Sequence, residues 1–168
     1  MIRDLLDFYT IARPGWPPMN VMVYGLLLTM CCVYALWRGG VPERIGTAIL
    51  AAGSLLTVAA ISGPAVSFRS VEVGVLIVDL LCIVAFVLLA LRAERFWPLW
   101  VAAFQIVGTA GHLVKFADPD TIRRVYAFLL AIWSYPILLF LFVGTWRHQK
   151  RLARFGIDRS WSREKAVS

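Results

Sequence analysis

Residues 73–116 read VGVLIVDLLCIVAFVLLALRAERFWPLWVAAFQIVGTAGHLVKF. Two uncharged or nearly uncharged runs, Val73 to Leu91 and Phe96 to Val114, are separated only by the RAER turn at 92–95. Each is close to the ~20 residues that a helix needs to cross ~30 Å of hydrocarbon. A connection this short makes the two helices antiparallel neighbours. The rest of the chain follows the same plan, with further apolar runs at Val21 to Trp37, Ile45 to Ser62 and Val125 to Trp146. The reading is an all-α, polytopic transmembrane bundle of five spans, about 21–37, 45–62, 73–91, 96–114 and 125–146. The second is rich in Gly, Ala, Ser and Thr, and without it four spans would remain.

Composition agrees. Across 168 residues the chain is 60% hydrophobic and 16% charged, with a mean hydropathy of +0.75, well outside the averages of a soluble domain. The ends supply no second domain, so residues 1–168 form one membrane unit. Residues 1–20 contain Asp4, Asp7 and three prolines and no apolar core of a signal peptide, so cleavage is not expected. LLDFYTIA at 5–12 suits a short interfacial helix ahead of the PGWPP turn. The tail 147–168 is basic and too short to bury a core.

Lysine and arginine set the expected orientation, because positive loops stay cytoplasmic. With the C-terminus inside, 11 of them fall on the inner side, seven in the tail, and 6 outside, at Arg3, Arg13, Arg69, Lys115, Arg123 and Arg124. The N-terminus is therefore expected out and the C-terminus in. Trp37, Trp97, Trp100 and Trp146 fall at inner span ends, as an aromatic belt would. The net charge of +7 is concentrated in RHQKRLARFGIDRSWSREK directly after a span, which fits anionic lipid headgroups. No nucleic-acid module accompanies it, and no nucleic-acid partner is expected.

Recognisable catalytic and metal signatures are missing from the sequence. Cys31, Cys32 and Cys82 lie within spans without CxxC spacing, and His112 and His148 are too far apart in sequence to make a zinc motif. No catalytic residue, metal ligand or cofactor motif is assigned, although a bound lipid or quinone remains compatible with the chain.

Polar residues inside the spans carry the chemistry. At 100° per residue, Gln105, Gly108, Thr109 and His112 share one face of span four. Asp79 shares a face of span three with Glu72, Cys82 and Phe86; Tyr24 lies with Asn20, Cys31 and Tyr34 on span one; Thr47, Ser54 and Thr57 align on span two. Gln105 is ten residues from both Arg95 and Lys115, near the midplane. The antiparallel hairpin brings Asp79 to a level between Gln105 and His112. A carboxylate in a span costs on the order of 3 kcal/mol on the insertion scale, so Asp79 is expected to face the interior and find a partner there. Asp79, Gln105, His112, Tyr24 and Trp133 are the candidate ligand or proton site, set against the plainer reading of a structural pin between helices. Pro136, in the WSYP run 133–136, is expected to kink span five beside Trp133.

ERIGTAILAAGS at 43–54 and ERFWPLWVAAFQ at 94–105 share Glu-Arg and Ala-Ala at one offset, which suggests a duplicated hairpin. WPLW followed by an intraspan Gln and His, with SYPILLFLFVGTWRHQKR in the last span, resembles an uncharacterised group of small multi-pass bacterial membrane proteins over Asp79 to Arg151. That resemblance implies a bacterial inner-membrane location and carries over no catalytic residue.

Two functions are compatible with these residues. The first is a non-enzymatic accessory or scaffold subunit, packing through the small-residue face of span two against a larger membrane complex or its own copies. The second is a small transporter, channel or lipid- or quinone-binding protein built around Asp79, Gln105 and His112.

Overall fold

The computed structural model describes residues 19–60, 73–117, 131–158 and 161, and, for residues 19–21, 115 and 116, the backbone only. The expected N-terminal interfacial helix, the Gly63 loop, Glu72, the start of span five and the end of the tail lie outside the described residues. Among the described residues the chain is all-helical apart from one isolated bridge between Ala93 and Trp161. The helices are α1 (Met19–Arg38), α2 (Val41–Ala60), α3 (Val73–Arg92), α4 (Trp97–Ala117) and α5 (Ser134–Phe155). Each has 20 to 22 residues, about 30 Å at ~1.5 Å per residue.

The connections explain the sharp reversals. Gly39 sits where a Cβ would meet Ala35 O at 2.3 Å and Glu43 Cβ at 2.6 Å, so only glycine allows α1 to hand over to α2 in two residues. Pro42 and Pro98 occupy the second position of α2 and α4, where the missing N–H has no helical partner to lose. Successive helices α1 to α4 pack as neighbours, α4 packs on α5, and α5 returns to α1 and α2, which closes the bundle.

The interior is centred on Trp97. Its indole lies between α2 and α5: a Cβ on Gly46 would stand 2.3 Å from its Cη2, and one on Gly144 2.6 Å from its Cγ. Phe86, Val101 and Leu141 are fully buried around it, with Leu50, Leu89, Ala102, Ile137 and Leu138. Trp100, Phe104, Phe140 and Trp133 form an aromatic seam along α4 and α5, with centroids 5.5 to 6.0 Å apart. Thr47, Thr109 and Thr145 each donate to the carbonyl four residues back at 2.8 to 2.9 Å, so their hydroxyls are satisfied within their own helices.

The outer surface is apolar: Leu26, Leu55, Val58, Leu91 and Leu113 are all more than 60% exposed, while Glu43 and His112 are almost wholly buried. That inverts the usual arrangement of a protein in water. By length and composition, two of the described helices, α2 and α3, are apolar enough to cross a membrane. α2, the span expected to be weakest, is one of them.

Several expectations are corrected. The expected kink beside Trp133 takes the form of a break: residues 131 and 132 are helical, Trp133 is a turn, and α5 starts at Ser134 with Pro136 in its first turn. α5 also runs on to Phe155, nine residues past the expected span end at Trp146. Trp97 is a core residue, 6% exposed, and not part of a lipid-facing belt, whereas Trp37, Trp100 and Trp146 remain exposed. The small-residue face of α2, with Gly46 and Gly53, packs inside the bundle against Trp97 and Cys82 and is not available to a partner. The two Glu-Arg pairs also differ: Glu43 lies inside α2, but Glu94 lies in the turn before α4.

Candidate functional site

The α3–α4 hairpin brings the expected polar groups together. Gln105 Nε2 donates to Asp79 Oδ1 at 3.1 Å, and His112 Nε2 stands 3.5 Å from Asp79 Oδ2. Gln105 and His112 are two helical turns apart on one face of α4, so both reach a single carboxylate on α3. His112 is 1% exposed and the Asp79 side chain 19%, and Asp79 lines a cavity of about 40 Å³. Asp79, Gln105, Gly108, Trp133 and Ser134 are among its walls. A space of this size holds about one water, hydrogen-bonded to a carboxylate and an amide.

Trp133 therefore belongs with Asp79 and Gln105, at the break between helical residues 131–132 and α5. Tyr24 does not. Its hydroxyl is 3.4 Å from Ser54 Oγ on α2, and its ring meets Tyr135 edge-on at 5.9 Å. It joins α1, α2 and α5.

A second polar cluster, not anticipated from the sequence, lies at the other end of α4. Glu43 is completely buried, and its Oε1 accepts from Trp97 Nε1 at 3.1 Å and from Arg95 Nε at 3.3 Å. Arg95, 4% exposed, extends its Nη2 to Asp158 Oδ2 at 2.8 Å. Asp158 also bonds His148 Nδ1 through Oδ2 at 2.5 Å and accepts from Arg151 Nε on Oδ1 at 2.9 Å. Burial pushes the Asp158 carboxyl up, but the hydrogen bonds from Arg151 and His148 and the charges of Arg95 and Arg151 outweigh it and hold the group below its ordinary range. Gln149 adds a bond to the Arg38 carbonyl, tying α5 to the end of α1.

Helical phase was the signal for this cluster. Glu43, Gly46, Thr47, Leu50 and Gly53 are all buried and recur at the spacing of one face of α2. Leu141, Gly144, Thr145 and His148 do the same on α5. Sequence reading placed Glu43 in a loop and His148 in a solvated tail, because it ended each helix where hydrophobicity ended.

A third feature is apolar. Leu27, Met30, Cys31 and Tyr34 of α1 face Tyr135, Leu138, Leu139 and Phe142 of α5 across an open groove of about 570 Å³. No family model, curated protein or solved structure matches the chain.

Proposed function

We propose that the chain is a five-span bacterial inner-membrane protein, N-terminus out and C-terminus in, that works as a non-enzymatic accessory subunit by packing against another membrane protein. The α1–α5 groove carries this reading. Met30 is 61% exposed and Leu139 58%, so the groove is open to the outside of the bundle and offers the close apolar contact by which transmembrane helices associate. The docking surface is thus assigned to α1 and α5 and not to α2. A photocrosslinking side chain at Leu139, followed by purification in mild detergent and mass spectrometry, is expected to capture one stoichiometric partner. The same group at Leu55, on the exposed face of α2, is the control. Equal labelling from both positions, or a homogeneous homo-oligomer carrying only lipid or quinone, contradicts the proposal.

A second reading, a small transporter or ligand-binding protein, is favoured by one observation: Asp79, Gln105 and Trp133 line one cavity. On that reading Asp79→Asn abolishes transport or binding while the bundle keeps its stability.

A further inference from the structure

We propose that Arg95, His148 and Arg151 form a binding site for a phosphate monoester, and that Asp158 of the same chain fills it as an internal plug. Donors from three directions converge on one carboxylate: Arg95 Nη2 and His148 Nδ1 on Oδ2, and Arg151 Nε on Oδ1. A fourth donor is unused, because Arg151 Nη2 is buried without an acceptor. Asp158 Oδ1 has a lone pair to spare, but the carboxylate is too small to meet both nitrogens of Arg151 while it serves Arg95 and His148, and Nη2 is left over. A phosphate monoester presents three terminal oxygens and can engage all four donors.

The site is preformed on its protein side. Glu43 Oε1 holds the Nε of Arg95, so the guanidinium stays aimed at the site whether or not Asp158 is there. The Arg95 side chain is 4% exposed and that of His148 10%. With Asp158 withdrawn, Glu43, Arg95 and Arg151 leave one net positive charge with His148 neutral and two with it protonated, against about −1.5 to −2 on a phosphate monoester at neutral pH.

The plug is hung for removal. α5 ends at Gly156, which takes the left-handed conformation at φ 70° and donates its N–H to Leu152 O. Ile157 and Asp158 then double back without helical hydrogen bonds, and Trp161 meets Ala93 in the α3–α4 turn. Asp158 can leave by unwinding a few residues, with no helix disturbed. This site is distinct from diffuse attraction of the tail to a charged surface, because its donors are directional and those of Arg95 and His148 are buried.

The shared chemistry belongs to a lipid headgroup such as phosphatidate or to a soluble phosphate compound, and the lipid source rests on the membrane reading above. The test uses the full chain in two arms. In detergent micelles, inorganic phosphate is titrated against chloride at matched ionic strength. In phospholipid nanodiscs, phosphatidylcholine alone is compared with phosphatidylcholine containing phosphatidic acid. Asp158→Asn is expected to bind phosphate or phosphatidic acid about tenfold more tightly than the unaltered chain, since it removes the charged competitor. Arg151→Gln in that background is expected to cancel the gain. In the unaltered chain, saturating ligand is expected to speed tryptic cleavage after Arg159, the residue next to the plug, as Asp158 is displaced, and this readout stands even where Asp158→Asn fails to fold. Response in micelles identifies a soluble phosphate as sufficient; response confined to nanodiscs identifies the headgroup. Both support the site, and the micelle arm does so whatever the number of spans. An Asp158→Asn protein with no tighter binding in either arm, a gain that survives Arg151→Gln, or cleavage unchanged by both ligands overturns it.

Discussion

Asp79 shows how a single charged residue in an apolar helix is accommodated: one amide and one imidazole from the neighbouring helix converge on it. Its partners were readable from sequence because a short turn fixes the register of a hairpin and helical phase puts residues seven apart on one face. Asp79→Leu is expected to cost roughly 1 to 3 kcal/mol of stability in detergent by leaving Gln105 and His112 without their acceptor, and Asp79→Asn much less. Adding His112→Leu to Asp79→Leu should recover part of the loss, with a coupling of about 0.5 to 3 kcal/mol in a double-mutant cycle. Strict additivity would show that the two side chains do not interact. Asp158 makes a prediction about pH. Its carboxyl is held below its ordinary value, so its contribution is complete above the unfolded value near 3.8 and is lost as pH falls through the folded one. Thermal unfolding of the unaltered chain should therefore weaken on that acid limb, and Asp158→Asn should flatten it. An identical acid limb in both proteins would mean that the contacts to Arg95, His148 and Arg151 do not stabilise the fold.

At the scale of elements, hydrophobicity located the helices and misjudged their ends. The backbone continues while its hydrogen bonds continue, so α5 carries His148 and Arg151 well past the last apolar residue of the expected span. α2 likewise starts at Val41, early enough to bury Glu43. Pro136 was legible because its ring cannot follow Ile132 in one unbroken helix, and the helix breaks at Trp133 between them. The close passage of α2 and α5 over Trp97 was hidden, because glycine composition does not say which partner approaches. That passage yields a direct test. Gly46→Ala forces a methyl against the indole and is expected to destabilise the bundle by about 1 to 3 kcal/mol, measured by melting in detergent. Gly25, with nothing within 4 Å of a Cβ position, is the control and should tolerate alanine. A Gly46→Ala protein as stable as the unaltered chain would show that the indole has room to move.

At the scale of the whole molecule, across the described residues, every helix exposes large apolar side chains, Asp79, Glu43, Arg95 and Asp158 are paired inside, and Arg44, Arg92, Arg147, Lys150 and Arg154 are exposed. That inversion is what a bilayer selects, since lipid offers no water to satisfy a stray carboxylate. α2 and α3 meet the length and composition of a span on their own. α4 and α5 are more polar because they bring Gln105, His112, His148 and Arg151 into the interior, and we infer that they cross the membrane as members of the bundle. The sequence between them is the most discriminating point in the chain. A two-span protein built on α2 and α3 and the five-span protein proposed here share a cytoplasmic C-terminus and an external Gly63, but they disagree about residue 120. The most direct measurement is a reporter active only in the periplasm, inserted at Asp120. Five spans with the N-terminus out predict activity there, and an inactive periplasmic reporter at Asp120, with a cytoplasmic reporter active at the same position, would contradict them.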